Sequence, residues 1–248
     1  MNLYLVTGTT TGIGAALRDA LAADPANCLV TLSRAADNGS SPANIFLDLA
    51  DPASIDAAFA RAMTAAGSKH FERAALINNA GVVGPVGRFD RIDCAGLQTN
   101  LQVNLMGPMR LATLFANATR AIADRRLIVH ISSGAAKRAI AGWSAYCTAK
   151  AGLEMATRVA ALEAAQHDPA LIVCSLAPGV VDTPMQGRVR AVSAEDFPEV
   201  ERFRGMKADG TLRPAADVAR DIIKLIHDNR LENGANHDIR EILHATSS

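Results

Sequence analysis

The segment AGWSAYCTAK, residues 141–150, places Tyr146 four residues before Lys150. On a helix this spacing puts both side chains on one face. A phenol ionises near pH 10, at a pKa of about 10, and a nearby ammonium favours its ionised form. The pair is therefore suited to exchanging a proton near neutral pH. Taken alone, the same spacing equally fits a half-exposed pair on an ordinary amphipathic helix.

Two further polar residues precede this segment at positions that suit the same chemistry. Ser133 stands 13 residues before Tyr146 and ends an apolar stretch, VHISS, where ligands of open α/β sheets bind. Asn104 interrupts a long helical pattern, LQVNLMGP. An interior asparagine disfavours a helix unless it has a local role, such as a kink that carries water to Lys150.

This set of side chains matches the requirements of carbonyl reduction. The reaction needs a hydride on carbon, a proton on oxygen and stabilisation of the developing oxyanion. The sequence predicts that Tyr146 donates the proton and that Ser133 holds the carbonyl oxygen. Lys150 would lower the pKa of the phenol and bind the nicotinamide ribose, and Asn104 would complete a proton relay.

The source of the hydride is indicated by a glycine turn, TGTTTGIG, directly after the first apolar stretch. Gly8, Gly12 and Gly14 fit a tight turn, a close approach to a pyrophosphate and close helix–strand packing. The helix that starts at this turn, including Ile13, offers free N–H groups to phosphates. A plain turn between a strand and a helix is the alternative.

Arg34 ends the second predicted strand, about 20 residues after the last glycine, where dinucleotide folds place the residue that contacts the adenosine ribose. A guanidinium there favours a 2′-phosphate and so predicts NADP(H), with Ser33 and Thr11 as supporting donors. The alternative is a solvated surface charge. The further cofactor contacts expected at strand ends are Asp48, Leu49, Asn78, Ala80, Gly81, Pro178, Gly179, Val181 and Thr183, together with Tyr146 and Lys150.

Short apolar stretches alternate with longer alanine-rich stretches of helical period along the whole chain. This alternation predicts an α/β fold, a single doubly wound domain over residues 1–248 with a parallel sheet. The predicted strands are Leu3–Thr7, Cys28–Ser33, Asn44–Leu47, Ala74–Asn78, Arg126–Ser132, Leu171–Ala177 and Ala235–Arg240. The predicted helices are Gly12–Ala23, Pro52–Ala66, Cys94–Ala123, Ser144–Gln166 and Pro214–Asn229. The polar stretch 184–213 is expected to be poor in helix, as either a substrate lid or a surface insertion.

Composition restricts the class of partner. The 248 residues carry 25 basic and 25 acidic side chains without a basic run, which disfavours nucleic acid and anionic membranes as partners. The N-terminal MNLYLVTG predicts a strand and not a signal peptide. The 4 cysteines and 6 histidines lack metal-binding spacing. We therefore expect no metal site, no disulfide framework and a cytoplasmic protein.

Together, TGxxxGxG, NNAG, the helix asparagine, Ser…YxxxK and PGxxxT resemble the classical short-chain dehydrogenase/reductase family over almost the whole chain. The resemblance implies a seven-stranded Rossmann-type sheet and NADP-dependent oxidoreductase activity on CH–OH or C=O groups. It also implies a catalytic tetrad, which falls on Ser133, Tyr146, Lys150 and Asn104.

Within the family, the segments GWSAYCTAK, LSRA, LAPGVVDTPMQ and NGANHDIRE are similar to sepiapterin reductases and bacterial benzil reductases. The similarity implies Asp238 as an anchor for a pterin, although DIRE replaces DFYD and Thr11 replaces an arginine. A solvated charge is the alternative for Asp238. Met185 and Trp143 are further substrate candidates, and Trp143 suits either stacking on an aromatic substrate or packing in the core.

The sequence therefore predicts an NADPH-dependent reductase of ketones or vicinal dicarbonyls. A 3-oxoacyl or sugar-type reductase on the same scaffold and a non-catalytic NADP(H)-sensing protein remain as alternatives. The helix after Tyr146 is apolar around most of its circumference, with a stripe that includes Met155, Val159 and Leu162. Such a helix needs cover on both sides, which predicts a homodimer.

Overall fold

The computed structural model describes residues 1–35 and 43–244. Its strands are β1 (Asn2–Thr7), β2 (Asn27–Ser33), β3 (Ala43–Phe46), β4 (Phe71–Asn78), β5 (Ala123–Ile131), β6 (Leu171–Ala177), β7 (Val181–Asp182), β8 (Arg213–Pro214) and β9 (Asn236–Asp238). Its helices are α1 (Gly12–Ala22), α2 (Pro52–Ala66), α3 (Cys94–Leu101), α4 (Gly107–Thr119), α5 (Ser144–His167), α6 (Pro184–Arg190), α7 (Val200–Ala208), α8 (Ala215–His227) and α9 (Ile239–His244).

Seven of the strands form one parallel sheet in the order β3-β2-β1-β4-β5-β6-β9. The chain moves outward from β1 in one direction and then returns to β4 on its other side. This reversal is the topological switch point of a doubly wound sheet, where ligands bind at the carboxyl ends of the strands. The predicted α/β class with a seven-stranded parallel sheet is confirmed.

Helices cover both faces of the sheet, so both faces of its inner strands are apolar. One buried layer packs α1 and α8 on the sheet through side chains such as Leu17 and Ile222. The other packs α2, α4 and α5 through side chains such as Phe59 and Phe115. The catalytic candidates stand where the second layer meets the carboxyl ends of β4, β5 and β6.

Several predicted elements differ from the observed ones. The predicted helix Cys94–Ala123 is three segments, because a π-helical turn, Gln102–Met106, separates α3 from α4. The stretch 184–213 was expected to be poor in helix, but it contains two helices, α6 and α7. The last predicted strand, Ala235–Arg240, is shorter than expected, because β9 ends at Asp238 and α9 follows.

No helix within residues 1–35 and 43–244 is long and apolar enough to cross a membrane.

Candidate active site

The glycine turn connects β1 to α1 and holds the start of the helix close to the end of the strand. Gly8 has a positive φ of 73°, and a Cβ atom on it would lie 2.8 Å from Cα of Ala80. A Cβ on Gly14 would lie 2.0 Å from the carbonyl oxygen of Gly8. Only glycine fits at these two positions, and the first turn of α1 therefore lies directly against the end of β1.

The amino end of α1 is open to a ligand. Thr11 is the N-cap residue, yet its hydroxyl caps no backbone N–H of the helix among the described residues. The first turn also contains no acidic side chain. Thr11, Gly12 and Ile13 line a cavity of about 720 Å³ at this edge of the sheet. The unpaired N–H groups and the positive end of the helix dipole make this a site for a phosphate.

Arg34 and Ser33 line the same cavity at the end of β2. Arg34 is exposed and pairs with no acidic group in the described part of the chain. The Ser33 hydroxyl donates to Oδ1 of Asn44 (3.0 Å) and accepts from the N–H of Ala35 (3.3 Å). Arg34 thus offers a ligand a guanidinium that no described acidic group pairs with, whereas Ser33 is engaged within the protein.

Asp48 and Leu49, which follow β3, line the cavity next to Arg34. The Oδ1 atom of Asp48 accepts from the N–H of Ala50 (2.9 Å), and the buried side chain of Leu49 forms the wall beside it. Ala80 and Gly81 line the cavity after β4. These four residues stand where the sequence placed them.

Asn78 does not line the cavity, and its expected contact with the cofactor stays a prediction. Its side chain is buried on the α4 side of the sheet, where Nδ2 donates to the carbonyl of Pro108 (3.2 Å). The next residue, Asn79, lines the cavity instead. Nδ2 of Asn79 donates to the carbonyl of Thr7 (3.0 Å) and so ties the end of β4 to the glycine turn. Successive residues along a strand direction face opposite sides of the sheet, which explains why Asn79, and not Asn78, faces the cavity.

Tyr146 and Ser133 meet at the carboxyl end of β5. Ser133 has extended backbone (φ −156°) at the end of the strand and caps a 3₁₀ turn, Gly134–Ala136. Its side chain lowers the pKa of the phenol of Tyr146, which stands in the first turn of α5. Both residues line the cavity. The strand end and the helix start therefore bring together two hydroxyl groups that lie 13 residues apart in the sequence.

The electrostatics of Tyr146 differ from the expectation that Lys150 lowers its pKa. Burial raises the pKa of Tyr146 to about 12, with the hydrogen bond from Ser133 acting in the opposite direction. Burial also lowers the pKa of Lys150 to about 8, opposed by the negative charge of Glu154. Because both groups are desolvated, the neutral phenol is favoured and the ammonium is disfavoured. Tyr146 is thus a protonated acid at neutral pH.

Lys150 lies beneath the Tyr146 ring, with its Nζ atom 5.8 Å from the ring centroid. The ammonium donates a hydrogen bond to the carbonyl of Ile131 (2.8 Å), the last residue of β5. Lys150 also lines the cavity. One helix therefore presents the phenol and the amine to the same space, one turn apart.

Asn104 lies at the centre of the π-helical turn and is fully buried. Its Oδ1 atom accepts from the N–H of Val82 (3.0 Å), and its Nδ2 atom donates to the carbonyl of the same residue (2.7 Å). Nδ2 also donates to Oδ1 of Asn100 (2.9 Å). The side chain thus fixes the loop after β4 behind Gly81. The helix is distorted at this asparagine, as the sequence predicts, and π-helical turns are frequent at functional sites.

The loop after β6 forms the opposite wall of the cavity, and Pro178, Gly179, Val181, Thr183 and Met185 line it. A Cβ atom on Gly12 would lie 3.0 Å from Cγ2 of Thr183, so this loop contacts the glycine turn. The residues expected to hold a nicotinamide therefore face the residues expected to hold the pyrophosphate.

Trp143 belongs to a buried aromatic cluster and lines the cavity as well. Its indole is parallel to the ring of Phe197, at a centroid distance of 4.9 Å, and meets the Tyr146 ring edge-on at 5.5 Å. Phe203 packs at 5.6 Å. One face of the indole is therefore covered by Phe197, so Trp143 packs in the core, and its contact with a substrate stays a prediction.

Asp238, the expected pterin anchor, also lines the cavity, but its carboxylate is engaged by Arg240. Nε and Nη2 of Arg240 donate to the two carboxylate oxygens at 2.8 and 2.5 Å, and the Arg240 N–H donates to Oδ1 at 3.0 Å. These contacts lower the pKa of Asp238, with the hydrogen bond from Arg240 as the main cause. The carboxylate of Asp238 is thus paired with Arg240, and its role as a substrate anchor stays a prediction.

Comparisons with known proteins agree with this geometry. The short chain dehydrogenase family matches residues 2–193. The chain belongs to the short chain dehydrogenase family. It is 34% identical over 245 residues to the benzil reductase ((S)-benzoin forming) of Bacillus subtilis, covering 98% of this chain and 100% of that protein. It is 32% identical to the sepiapterin reductase of Rattus norvegicus, over 70% of this chain and 66% of that protein.

Among solved structures, a short chain dehydrogenase/reductase from Saccharomyces cerevisiae has the same fold, with a TM-score of 0.82 at 22% identity and 96% of each chain covered. As a short chain dehydrogenase with benzil reductase relatives, the chain is an oxidoreductase that acts on CH–OH or C=O groups. The family uses a nicotinamide cofactor.

The residues of this short chain dehydrogenase fit such a cofactor. At the turn, a Cβ atom on Gly8 or Gly14 would clash with neighbouring backbone. The start of α1 is open, and Arg34 has no acidic partner among the described residues. A single cavity reaches from Arg34 to Trp143. It passes along the strand ends, as an extended dinucleotide with a substrate beside it requires.

Several cavity residues were not anticipated from the sequence. Besides Asn79 they include Phe203 on α7 and three arginines, Arg138, Arg188 and Arg202. Arg138 and Arg202 both pair with Glu199. Phe203 and the three arginines lie in a loop or on α6 and α7, and such positions carry no period or motif. The NNAG motif contains Asn79, but a motif alone does not tell which of its two asparagines faces the cavity.

Proposed function

We propose that this protein is an NADPH-dependent carbonyl reductase that reduces ketones or vicinal dicarbonyls with an aromatic neighbour. The observation that carries the proposal is that Ser133, Tyr146 and Lys150 line the same end of the cavity, with the Nζ atom of Lys150 5.8 Å from the centroid of the Tyr146 ring. A buried phenol beside a hydroxyl and an ammonium is suited to giving a proton to a carbonyl oxygen.

The cofactor proposal rests on the charges at the other end. The N–H groups at the start of α1 would hold the pyrophosphate, and Thr11 would add a hydroxyl. Arg34 would bind a 2′-phosphate, since no acidic residue in the described chain neutralises it. Asp48 and Leu49 would contact the adenine. When bound, the reduced nicotinamide supplies the hydride.

In the proposed reaction, Ser133 donates a hydrogen bond to the substrate carbonyl and holds its oxygen beside Tyr146. Tyr146 then gives its proton to that oxygen as negative charge develops there. Lys150 stabilises the phenolate that remains, because an ammonium one helical turn away favours the charged form. Its ammonium would also bind the ribose hydroxyls of the cofactor.

In this proposal Asn104 holds a water molecule through its backbone. Both polar atoms of its side chain are engaged by Val82 and Asn100. The group that would bind the water is therefore its backbone carbonyl, which lies in the π-helical turn outside regular α-helix geometry. A water held there would return a proton to Lys150 and through it to Tyr146.

The substrate class follows from the wall beside Tyr146. Trp143, Met185 and Phe203 provide an apolar and aromatic surface, which suits a substrate with an aromatic ring. The segment 184–213, with α6 and α7, would act as the lid, because it carries Met185 and Phe203 over the cavity. The pairing of Asp238 with Arg240 favours an aromatic dicarbonyl over a pterin.

The proposal extends to a homodimer in the cytoplasm. Met155 and Leu162 on α5 are 52% and 67% exposed, and Met109 on α4 is 39% exposed. Such a stripe on a helix is typical of a subunit interface. All 4 cysteines carry free thiols, as a reducing compartment would maintain them. Gel filtration with light scattering tests the dimer, and a monomer at working concentration would reject it.

The function is tested by following NADPH oxidation by the purified protein with a panel of carbonyl compounds. We expect turnover with benzil or a related aromatic diketone. Sepiapterin, a 3-oxoacyl thioester and a keto sugar complete the panel. Turnover confined to the thioester or the sugar would replace the proposed substrate class, and NADPH binding without any turnover would indicate a sensor.

A further inference from the structure

Glu154 is a buried acidic residue that the proposed reaction does not use. It lies on α5, one helical turn beyond Lys150, and its side chain is only 5% exposed. From the sequence alone it is an interruption of an apolar helix. An ionisable side chain is almost never fully buried unless it has partners, so its position demands an explanation.

Both carboxylate oxygens of Glu154 accept a hydrogen bond from the end of the sheet. The Ser132 hydroxyl donates to Oε1 (2.7 Å), and Nδ2 of Asn236 donates to Oε2 (3.0 Å). Oδ1 of Asn236 in turn accepts from the Ser175 hydroxyl (2.6 Å). One side chain on α5 therefore joins the ends of β5, β6 and β9.

These contacts belong to a polar row that crosses the sheet under α5. Asn78, His130, Ser175 and Asn236 are register partners on β4, β5, β6 and β9. Nδ2 of Asn78 lies 3.2 Å from Nδ1 of His130. On β5 the row lies at His130, three residues before Ser133, and Ser132, which donates to Glu154, directly precedes Ser133.

Charged and titratable groups surround Lys150 on several elements. On α5 it stands one turn after Tyr146, whose ring lies near its ammonium, and one turn before Glu154, whose negative charge raises its pKa. On β5 it faces His130, whose pKa is lowered to about 3 by burial and by Lys150, so that the imidazole is neutral. Lys137 donates to the carbonyl of Asn236 at the exposed edge, and Asp238 nearby is held by Arg240. Glu154 is thus the negative charge that acts on Lys150 from within the core.

We propose that Glu154 is a positioning residue of the reductase: it joins the strand ends on which Ser133 stands and supplies the negative charge that keeps Lys150 an ammonium. The inference rests on the proposed function, because it gives Lys150 its catalytic role. It predicts that the charge of Glu154, beyond its hydrogen bonds, sets the pH range in which the enzyme reduces its substrate.

The test is the pH profile of kcat for Glu154→Gln, measured with saturating NADPH and the best dicarbonyl of the panel. Glutamine keeps the size of the side chain and removes its charge. Without the carboxylate, the charged form of Lys150 is less stable and its pKa falls. We expect the alkaline limb, the fall of kcat at high pH, to move to lower pH by about one unit. The ratio of kcat at pH 8 to kcat at pH 6 should then be roughly fivefold smaller in the variant than in the unmodified enzyme.

Glu154→Asp is the conservative variant, because it keeps the charge but shortens the side chain. We expect its alkaline limb to stay near that of the unmodified enzyme even where its rate is lower. Glu163→Gln, on the exposed side of the same helix, is the matched control and should leave the profile unchanged. An alkaline limb that Glu154→Gln does not move, or that both Glu154 variants move equally, would overturn the inference.

NADPH binding and the melting temperature Tm show whether Glu154→Gln folds. If it does not, Glu154→Met takes its place, since it also removes the charge from a side chain of similar length and should move the alkaline limb in the same direction. An unmoved limb in that variant contradicts the proposal. Tyr146→Phe distinguishes a failure of the proposed function from a failure of the role assigned to Glu154. Full turnover in that variant would refute the proposed function, whereas an inactive Tyr146→Phe with an unmoved Glu154→Gln limb would refute this inference alone.

Discussion

Lys150 places its Nζ atom 5.8 Å from the centre of the Tyr146 ring and donates to the carbonyl of Ile131 at 2.8 Å. The two side chains are desolvated together, so burial raises the pKa of the phenol to about 12 and lowers that of the amine to about 8. Of the two, Lys150 is therefore the group that changes its charge near neutral pH.

This relationship predicts the pH dependence of reduction. A lysine whose pKa is lowered to about 8 is an ammonium below that pH and loses its charge above it. Tyr146 stays protonated throughout this range. We therefore expect kcat for ketone reduction to be level below about pH 7 and to fall above about pH 8. A rate that remains level to about pH 9.5 would show that the charge of Lys150 is not required.

The choice of cofactor depends on Arg34. Arg34→Ala should raise the Kd for NADPH about 10- to 100-fold, since a charged hydrogen bond to the 2′-phosphate is lost. The Kd for NADH should change little. Arg61→Ala, at an exposed position on α2, is the control. Tighter binding of NADH than of NADPH by the unmodified protein, or an equal loss of both in Arg34→Ala, would refute the NADP(H) preference.

The pairing of Asp238 with Arg240 predicts substrate preference. We expect kcat/KM to be about tenfold or more higher for an aromatic diketone than for sepiapterin, because the carboxylate is engaged. Arg240→Gln should free the carboxylate and raise the sepiapterin value relative to the diketone at least about fivefold. Arg125→Gln, exposed at the other end of the sheet, serves as the control. Sepiapterin preference in the unmodified enzyme would contradict the interpretation.

The contact between the glycine turn and the sheet predicts a steric effect. In Gly14→Ala the new methyl group would lie 2.0 Å from the Gly8 carbonyl oxygen and 2.5 Å from Nδ2 of Asn79. Overpacking of this kind costs about 1–3 kcal/mol, and Tm should fall by about 2–4 °C for each kcal/mol. NADPH binding should weaken as the turn is displaced.

Gly205→Ala on α7 is the matched control for this change. A Cβ atom there would have no neighbour within 4 Å among the described residues. Replacing a glycine inside a helix with alanine should raise stability by up to about 1 kcal/mol. Equal Tm values for the two variants would mean that the turn adjusts without cost.

The sheet could be predicted from the sequence because its strands are covered on both faces and are therefore apolar throughout. Leu171–Ala177 and Pro52–Ala66 have the predicted bounds, since each is limited by turn residues or by a proline at the helix start. The positions of Ser133 and Tyr146 also followed from local rules, because one ends a strand and the other begins a helix.

The features that the sequence did not predict depend on contacts between residues that are distant along the chain. Glu154 has partners 22 and 82 residues away, so no local pattern shows that it is buried. The same holds for the lowered pKa of Lys150, which results from the cover of the whole helix. The helices α6 and α7 carry no clear helical period, because their apolar residues, such as Val189 and Phe203, are few and pack in the cluster around Trp143 instead of on the sheet.

The central claim is that Tyr146 supplies the proton, and Tyr146→Phe tests it most directly. Phenylalanine keeps the ring and its contact with Trp143 but removes the acidic hydroxyl. The measurement is single-turnover oxidation of NADPH with a saturating aromatic diketone, together with the Kd for NADPH. We predict a rate lower by about 10³-fold or more, with the Kd within about threefold of the unmodified protein. A rate within about tenfold of the unmodified protein, at equal NADPH binding, would contradict the account.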